Sequence, residues 1–206
     1  MTATEQASTI PTATEVVRSA LLAACEQLHA ECTERQHGLL RRVLSDVPLD
    51  QLGEYSLRQA HAVLHRAVTR NRAIASGQPV PPEPAKSFYV LEFSWPRPPL
   101  SRNGGRGHPI ARGKIVKTVR EAAFYLARQQ KIPRLDHMVV RLHYAPGRRQ
   151  PQDPMNWTDT SKALIDGLRD AGVVVDDDST RVTEFEPEIL FPPEPGPRCW
   201  LTIVAA

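Results

Sequence analysis

The segment Gly77–Lys86 reads GQPVPPEPAK and carries four prolines in ten residues. Proline fixes φ and donates no backbone hydrogen bond, so a run this dense continues neither a helix nor a sheet ladder. It reads as a stiff linker. The chain changes texture across it. Before it, apolar residues recur at threes and fours; after it, short apolar runs alternate with helical stretches. The expected organisation is a helical N-terminal module over 13–76, a Pro-rich linker over 77–86 and a second domain over 87–206. Residues 1–12, MTATEQASTIPT, are small and polar and are expected to be disordered.

Within the first part, Val16, Ala20, Ala23, Ala24, Leu28 and Cys32 mark one face of a helix running from Glu15 to about Leu44. Pro48 interrupts it. Ser56 is placed to cap a further helix through Ala62, Leu64, Val68 and Ile74. In the second part, strands are expected over 87–95, 138–146, 173–175, 181–185 and 199–204. Helices are expected over 111–130 and 160–171, the latter stopped by Gly172. The fold class is therefore α+β: a mixed sheet with packed helices, preceded by a small helical module.

Charge is distributed unevenly. From Arg97 to Arg149 there are thirteen lysines and arginines against two acids. From Asp153 to Glu194 there are eleven acids against Lys162, Arg169 and Arg181. A basic half can bind a polyanion; the acidic half faces cations or is a solvated surface. The three cysteines, Cys25, Cys32 and Cys199, suit neither a disulfide framework nor a zinc site, so they are expected reduced and buried in a cytoplasmic protein. No apolar run has the length of a membrane span. The first residues lack the basic and apolar regions of a signal peptide.

The acidic half opens with DPMNWTDTSKALIDGLRDAGVVVDDDS, Asp153 to Ser179. Phosphate chemistry uses hard cations such as magnesium, which take oxygen ligands. Here Asp153 precedes a helix roughly 18 Å long, and Asp176, Asp177 and Asp178 follow a short apolar segment. A chain reversal at Gly172 would bring the second group back along the helix. Each piece also has a plain reading. Lys162 and Asp166 make an i, i+4 surface pair, the aspartate run is a solvated turn, and Asp153-Pro154 is a turn signal.

Taken in order, these residues resemble the signature of the RusA-like Holliday junction resolvases, a family of phage and prophage endodeoxyribonucleases. That signature runs from basic residues to Asp-x-Asp-Asn, a helix with a lysine and an Asp-(Ala/Gly)-Leu segment, a short apolar strand and Asp-Asp. The chain offers Arg148-Arg149, Asp153, Asn156, Lys162, Asp166-Gly167-Leu168, Val173–Val175 and Asp177-Asp178. PRPPLSRNGG, Pro96 to Gly105, resembles the family's N-terminal loop. The likeness spans about 87–206.

The resemblance implies a magnesium-dependent endonuclease, a homodimer that places paired nicks in four-way DNA junctions during recombination and repair. It makes Asp153 and one or both of Asp177 and Asp178 catalytic metal ligands and Lys162 the lysine that assists catalysis. DNA phosphates would be held by Arg102, Arg106, Arg112, Lys114, Lys117, Arg120, Arg148 and Arg149. One position departs: Met155 stands where the family has its second aspartate, and a thioether is a poor ligand for magnesium. Either Asp176 or Asp159 takes its place, or the site binds metal weakly, or the chain is a catalytically impaired junction-binding protein. Trp157 is either a core residue or a wedge between bases.

Other signals fail on spacing. GHPIARGK has five residues between Gly107 and Gly113 and lacks the hydroxyl residue after Lys114 that a phosphate loop needs. His61 and His65 lack the glutamate of a zinc-protease helix. Ser94, Ser101 and Ser179 sit in no nucleophile elbow.

Overall fold

The computed structural model describes residues 13–80, 86–104, 109–191 and 196–205. The segment expected to be disordered, 1–12, lies outside them, as do 81–85 of the Pro-rich stretch and Arg106.

The first helical stretch is two helices, α1 (Ala13–Ala30) and α2 (Glu34–Val43). The break is a capping box. The Thr33 side chain accepts from the Gln36 N–H, and the Gln36 side chain accepts from the Thr33 N–H. These bonds satisfy donors that a helix start leaves open, which makes Thr33 a better beginning than a middle. Ser45 and Asp46, with φ of 51° and 60°, turn the chain after α2. The next helix, α3 (Glu54–Ala75), starts after Gly53; Ser56 lies inside it, buried, and is not its cap.

The remaining elements are β1 (Phe88–Phe93), α4 (Pro109–Gln129), β2 (Met138–Ala145), α5 (Thr158–Asp170), β3 (Val182–Glu184), β4 (Glu188–Ile189) and β5 (Arg198–Ala205). They form an α+β fold with a five-strand mixed sheet. The order is β1-β5-β2-β3, with β4 also against β2, beyond β3. β5 is antiparallel to both neighbours, whereas β3 and β4 run parallel to β2. The expected strand over 173–175 does not form. Val173 and Val174 are buried in irregular backbone, and the Val173 carbonyl accepts from the Leu135 N–H rather than joining the sheet.

Side chains alternate across the sheet, as the pleat requires. Tyr89, Leu91, Met138, Val140, Leu142, Leu201 and Ile203 face one way and meet Val119 and Ala123 of α4 and Leu164 and Leu168 of α5. Phe88, Val139 and Val204 face the other way. They meet Phe185, which follows β3, together with Leu40, Val43, Leu57 and Leu64 from α2 and α3. The sheet is thus covered on both faces, and α1–α3 share a core with it. Among the described residues, no helix is long and apolar enough to cross a membrane.

Candidate nucleic-acid interface and acidic site

The N-terminal end of α5 gathers pieces from three parts of the chain. Asp153 caps the 3-10 turn Pro154–Trp157, accepting from the Met155 N–H at 2.9 Å. The loop after β1 is pinned there: the Leu100 N–H donates to Thr160 Oγ1 at 2.9 Å, and that hydroxyl donates to the Leu100 carbonyl at 2.7 Å. Asn103 Nδ2 donates to Asn156 Oδ1 at 2.6 Å. These bonds fix the segment carrying Arg97 and Arg102 against the turn that carries Asp153. The Arg97 guanidinium lies 5.8 Å from the centre of the Trp157 ring. Trp157 itself is 7% exposed, with its ring edge to Tyr144, so it is a core residue and not a wedge.

A charged stripe runs along α5 at Asp159, Lys162, Asp166 and Arg169, spaced to share one face. Arg112 of α4 pairs with Asp159. Arg120 reaches Asp170 at 2.6 Å and Asp166 at 3.7 Å. Beyond α5 the chain reverses as the sequence predicts. Gly172 adopts φ 81°, its N–H donates to the Arg169 carbonyl, and the Val173 N–H donates to Leu168. This is a Schellman ending, and a residue with a Cβ is strained at its left-handed position.

The reversal lays Asp177 on the outside of α5. Its Oδ1 accepts from Arg169 at 2.8 Å, and its Oδ2 lies 3.6 Å from Lys162 Nζ. Burial pushes the Asp177 carboxyl up, but the Arg169 bond and charge outweigh it and hold it below the usual range. Asp178 accepts from the Thr180 hydroxyl at 2.5 Å and from the Thr180 N–H at 2.6 Å, which also lower it. Asp166 moves the other way: burial raises it, against Lys162 and Arg120.

Lys162 and Asp177, named from the sequence, are therefore brought together. Asp153 and Asp178 are each held by local bonds of their own. Among the described residues, no group of three or more His, Cys, Asp or Glu side chains is arranged to hold a metal ion. Magnesium asks for less, since it keeps several waters and takes one or two carboxylates plus substrate phosphates. Asp153, Asp176 and Asp178 are exposed, whereas the two oxygens of Asp177 face Arg169 and Lys162. Arg169 joins this pair without being a candidate from the sequence, although its place seven residues after Lys162 on one stripe is a signal.

The predicted DNA contacts divide. Arg112, Lys117 and Arg120 are paired with acids of the chain, Lys117 with Glu121 at 3.8 Å. Arg102, Lys114, Arg148 and Arg149 are exposed and pair with no acid among the described residues; Arg149 lies 6.0 Å from the Phe191 ring centre.

The second face of the sheet holds a polar cluster that the sequence reading missed. His143 Nδ1 and Ser45 Oγ meet Glu188 Oε2 at 2.9 and 2.5 Å, and His143 Nε2 meets Thr202 Oγ1 at 3.0 Å. Hydroxyl, imidazole and carboxylate stand in the order of a nucleophile relay. Thr202 and His143 are 4% and 2% exposed, so no substrate reaches them and the cluster is structural. The chain matches none of the known protein-family models and none of the curated proteins.

Proposed function

We propose that the chain is a magnesium-dependent endodeoxyribonuclease that acts on branched DNA such as four-way junctions, as a homodimer. What supports this reading most is the pinning of the basic loop 96–104 onto the turn of Asp153. It holds the segment carrying Arg97 and Arg102 against the turn of the Asp153 carboxylate, at the start of the helix whose outer stripe carries Lys162, with Asp177 packed against that lysine. Arg102, Lys114, Arg148 and Arg149 pair with no acid among the described residues and would take DNA phosphates, an affinity that falls with salt. Magnesium held by Asp153, Asp176 or Asp178 would supply an activated water and charge neutralisation at the scissile phosphate. Lys162, ion-paired with Asp177 at 3.6 Å, is an exposed cation that would stabilise a phosphate oxygen as charge develops there. Two symmetric copies suit two symmetric cuts.

Met155 favours a second reading, junction binding without cutting: its thioether, a poor ligand for magnesium, stands two residues after Asp153. A nicking assay on a synthetic four-way junction, with magnesium or manganese, separates the two. The nuclease reading expects paired nicks, reduced a hundredfold or more by Asp153→Asn and by Asp178→Asn, with junction binding retained. Tight binding and no nicks in either metal selects the second reading, and Met155→Asp should then restore cutting. Absence of both binding and nicking ends both readings.

A further inference from the structure

A cavity of about 540 Å³ opens at the end of the sheet where β1 and β2 begin and β5 ends, under α2 and α3. Its size falls in the range of about 300–1,000 Å³ that small-ligand sites occupy. Its floor is aliphatic: Leu40, Val43, Leu64, Val139 and Val204. Its rim is cationic, with Arg66 and Arg70 from α3, Lys86 before β1, and Lys131 and Arg134 after α4. Among the described residues a single acid, Asp136, lines it.

Arg66 is the informative residue. It is half-buried, and its Nε is shut off from solvent with no hydrogen-bond partner among the described residues. No acid among the described residues pairs with it, and burial, together with the charge of its neighbour Arg181, lowers its pKa. The other polar ring nearby, His137, has both nitrogens engaged, at Thr180 and Thr183. A guanidinium that is partly desolvated at Nε and has no counter-charge among the described residues is costly, and something outside the chain can supply one. The aliphatic floor, with Tyr89 as its one aromatic side chain besides His137, suits a hydrocarbon better than a stacked base.

We propose that this cavity binds an amphiphilic organic anion, its aliphatic body against Leu64, Val139 and Val204 and its carboxylate or phosphate head at Arg66. The inference does not rest on the nuclease reading. Its occupant, of whichever headgroup, lies on the opposite side of the sheet from α5.

The test uses the full chain and three probes below their micelle concentrations: dodecanoate, dodecyl phosphate and neutral dodecanol, by isothermal titration calorimetry. Saturable binding of one probe per chain is expected for at least one anion, tenfold or more tighter than dodecanol. The tighter head identifies a fatty-acid or a phosphate-ester ligand. Arg66→Gln should weaken that anion at least tenfold without lowering the Tm of the unliganded chain, since it removes an unpaired charge. Cys32 lines the same cavity and reports on the wild type alone. The bound anion should slow its alkylation by iodoacetamide several-fold, and dodecanol should not. Failure of both anions to bind, equal binding of dodecanol, an unchanged affinity in Arg66→Gln, or an unprotected Cys32 overturns the proposal.

Discussion

Two histidines are neutral in the fold for the same reason. His137 is 3% exposed, and burial, reinforced by the charges of Arg66 and Arg181, brings its pKa down to about 4 from an ordinary 6.5. His143 is 2% exposed, and burial lowers it too, against its bond to Glu188. Above pH 6.5 both rings are neutral folded or unfolded, and the fold keeps its full stability. Between pH 6.5 and about 4 the unfolded chain takes up a proton that folded His137 refuses, so stability falls as the pH falls. The loss from His137 approaches about 3 kcal/mol at the lower end. Urea unfolding at pH 7.5, 5.5 and 4.5 should show it, with His137→Gln flattening the slope. A His137 ring that titrates near 6.5 in the folded protein, followed by NMR, would remove the basis of the claim.

At the scale of elements, α4 and α5 cross at Gly167. A Cβ there would stand 2.3 Å from the Arg120 carbonyl oxygen and 2.9 Å from the Ala123 Cβ. Backbone cannot yield as a flexible side chain does, so Gly167→Ala should push the helices apart and cost about 1–3 kcal/mol. That shift would also loosen Arg120 from Asp166 and Asp170. Gly113, on the exposed side of α4, has nothing within 4 Å of a Cβ. Gly113→Ala should instead stabilise by about 0.5–1 kcal/mol. Thermal melts of the two variants should move in opposite directions; equal shifts would mean the crossing is looser than its geometry. The same helices show what the sequence could and could not tell. The α5 period, Gly172 as its stop and the return of Asp177 were legible because they are local chemistry. The break at Thr33 was legible in principle, as Thr-x-x-Gln, but an unbroken apolar period masked it. Val173–Val175 looked like a strand because β-branched residues suit one, yet burial without a ladder partner leaves irregular backbone. The pairing of Asp177 with Arg169 was less legible, because it joins two segments across a chain reversal.

For the whole molecule, the contact between α1–α3 and the sheet was the hardest thing to read, and β2 shows why. Its sequence MVVRLHYA puts Arg141 and His143 on one face, which reads as a solvated side. They are 8% and 2% exposed. Arg141 donates to the Val43 carbonyl at 3.1 Å and to the Glu186 carbonyl at 3.0 Å, while Glu188 takes Ser45 and His143. Burial pushes the Glu188 carboxyl up, but His143, the Arg141 charge and Ser45 together hold it below its ordinary value. Two of these partners, Val43 and Ser45, belong to the helical segment before the prolines. Removing residues 1–80 would therefore do more than expose Phe88, Val139, Phe185 and Val204. It would strip Arg141 and Glu188 of partners while they remain half-enclosed by the sheet, and breaking such buried networks typically costs about 3–5 kcal/mol. That is a large part of the roughly 5–15 kcal/mol that stabilises a domain. The chain from residue 81 onward should lose its cooperative melt, bind a dye such as anilinonaphthalene sulfonate and aggregate. Residues 13–206 should unfold in one transition that is the same by near- and far-ultraviolet circular dichroism. A soluble, monomeric 81–206 fragment with an unchanged Tm would mean that the sheet's second face needs no cover and that its buried charges are satisfied without the helices.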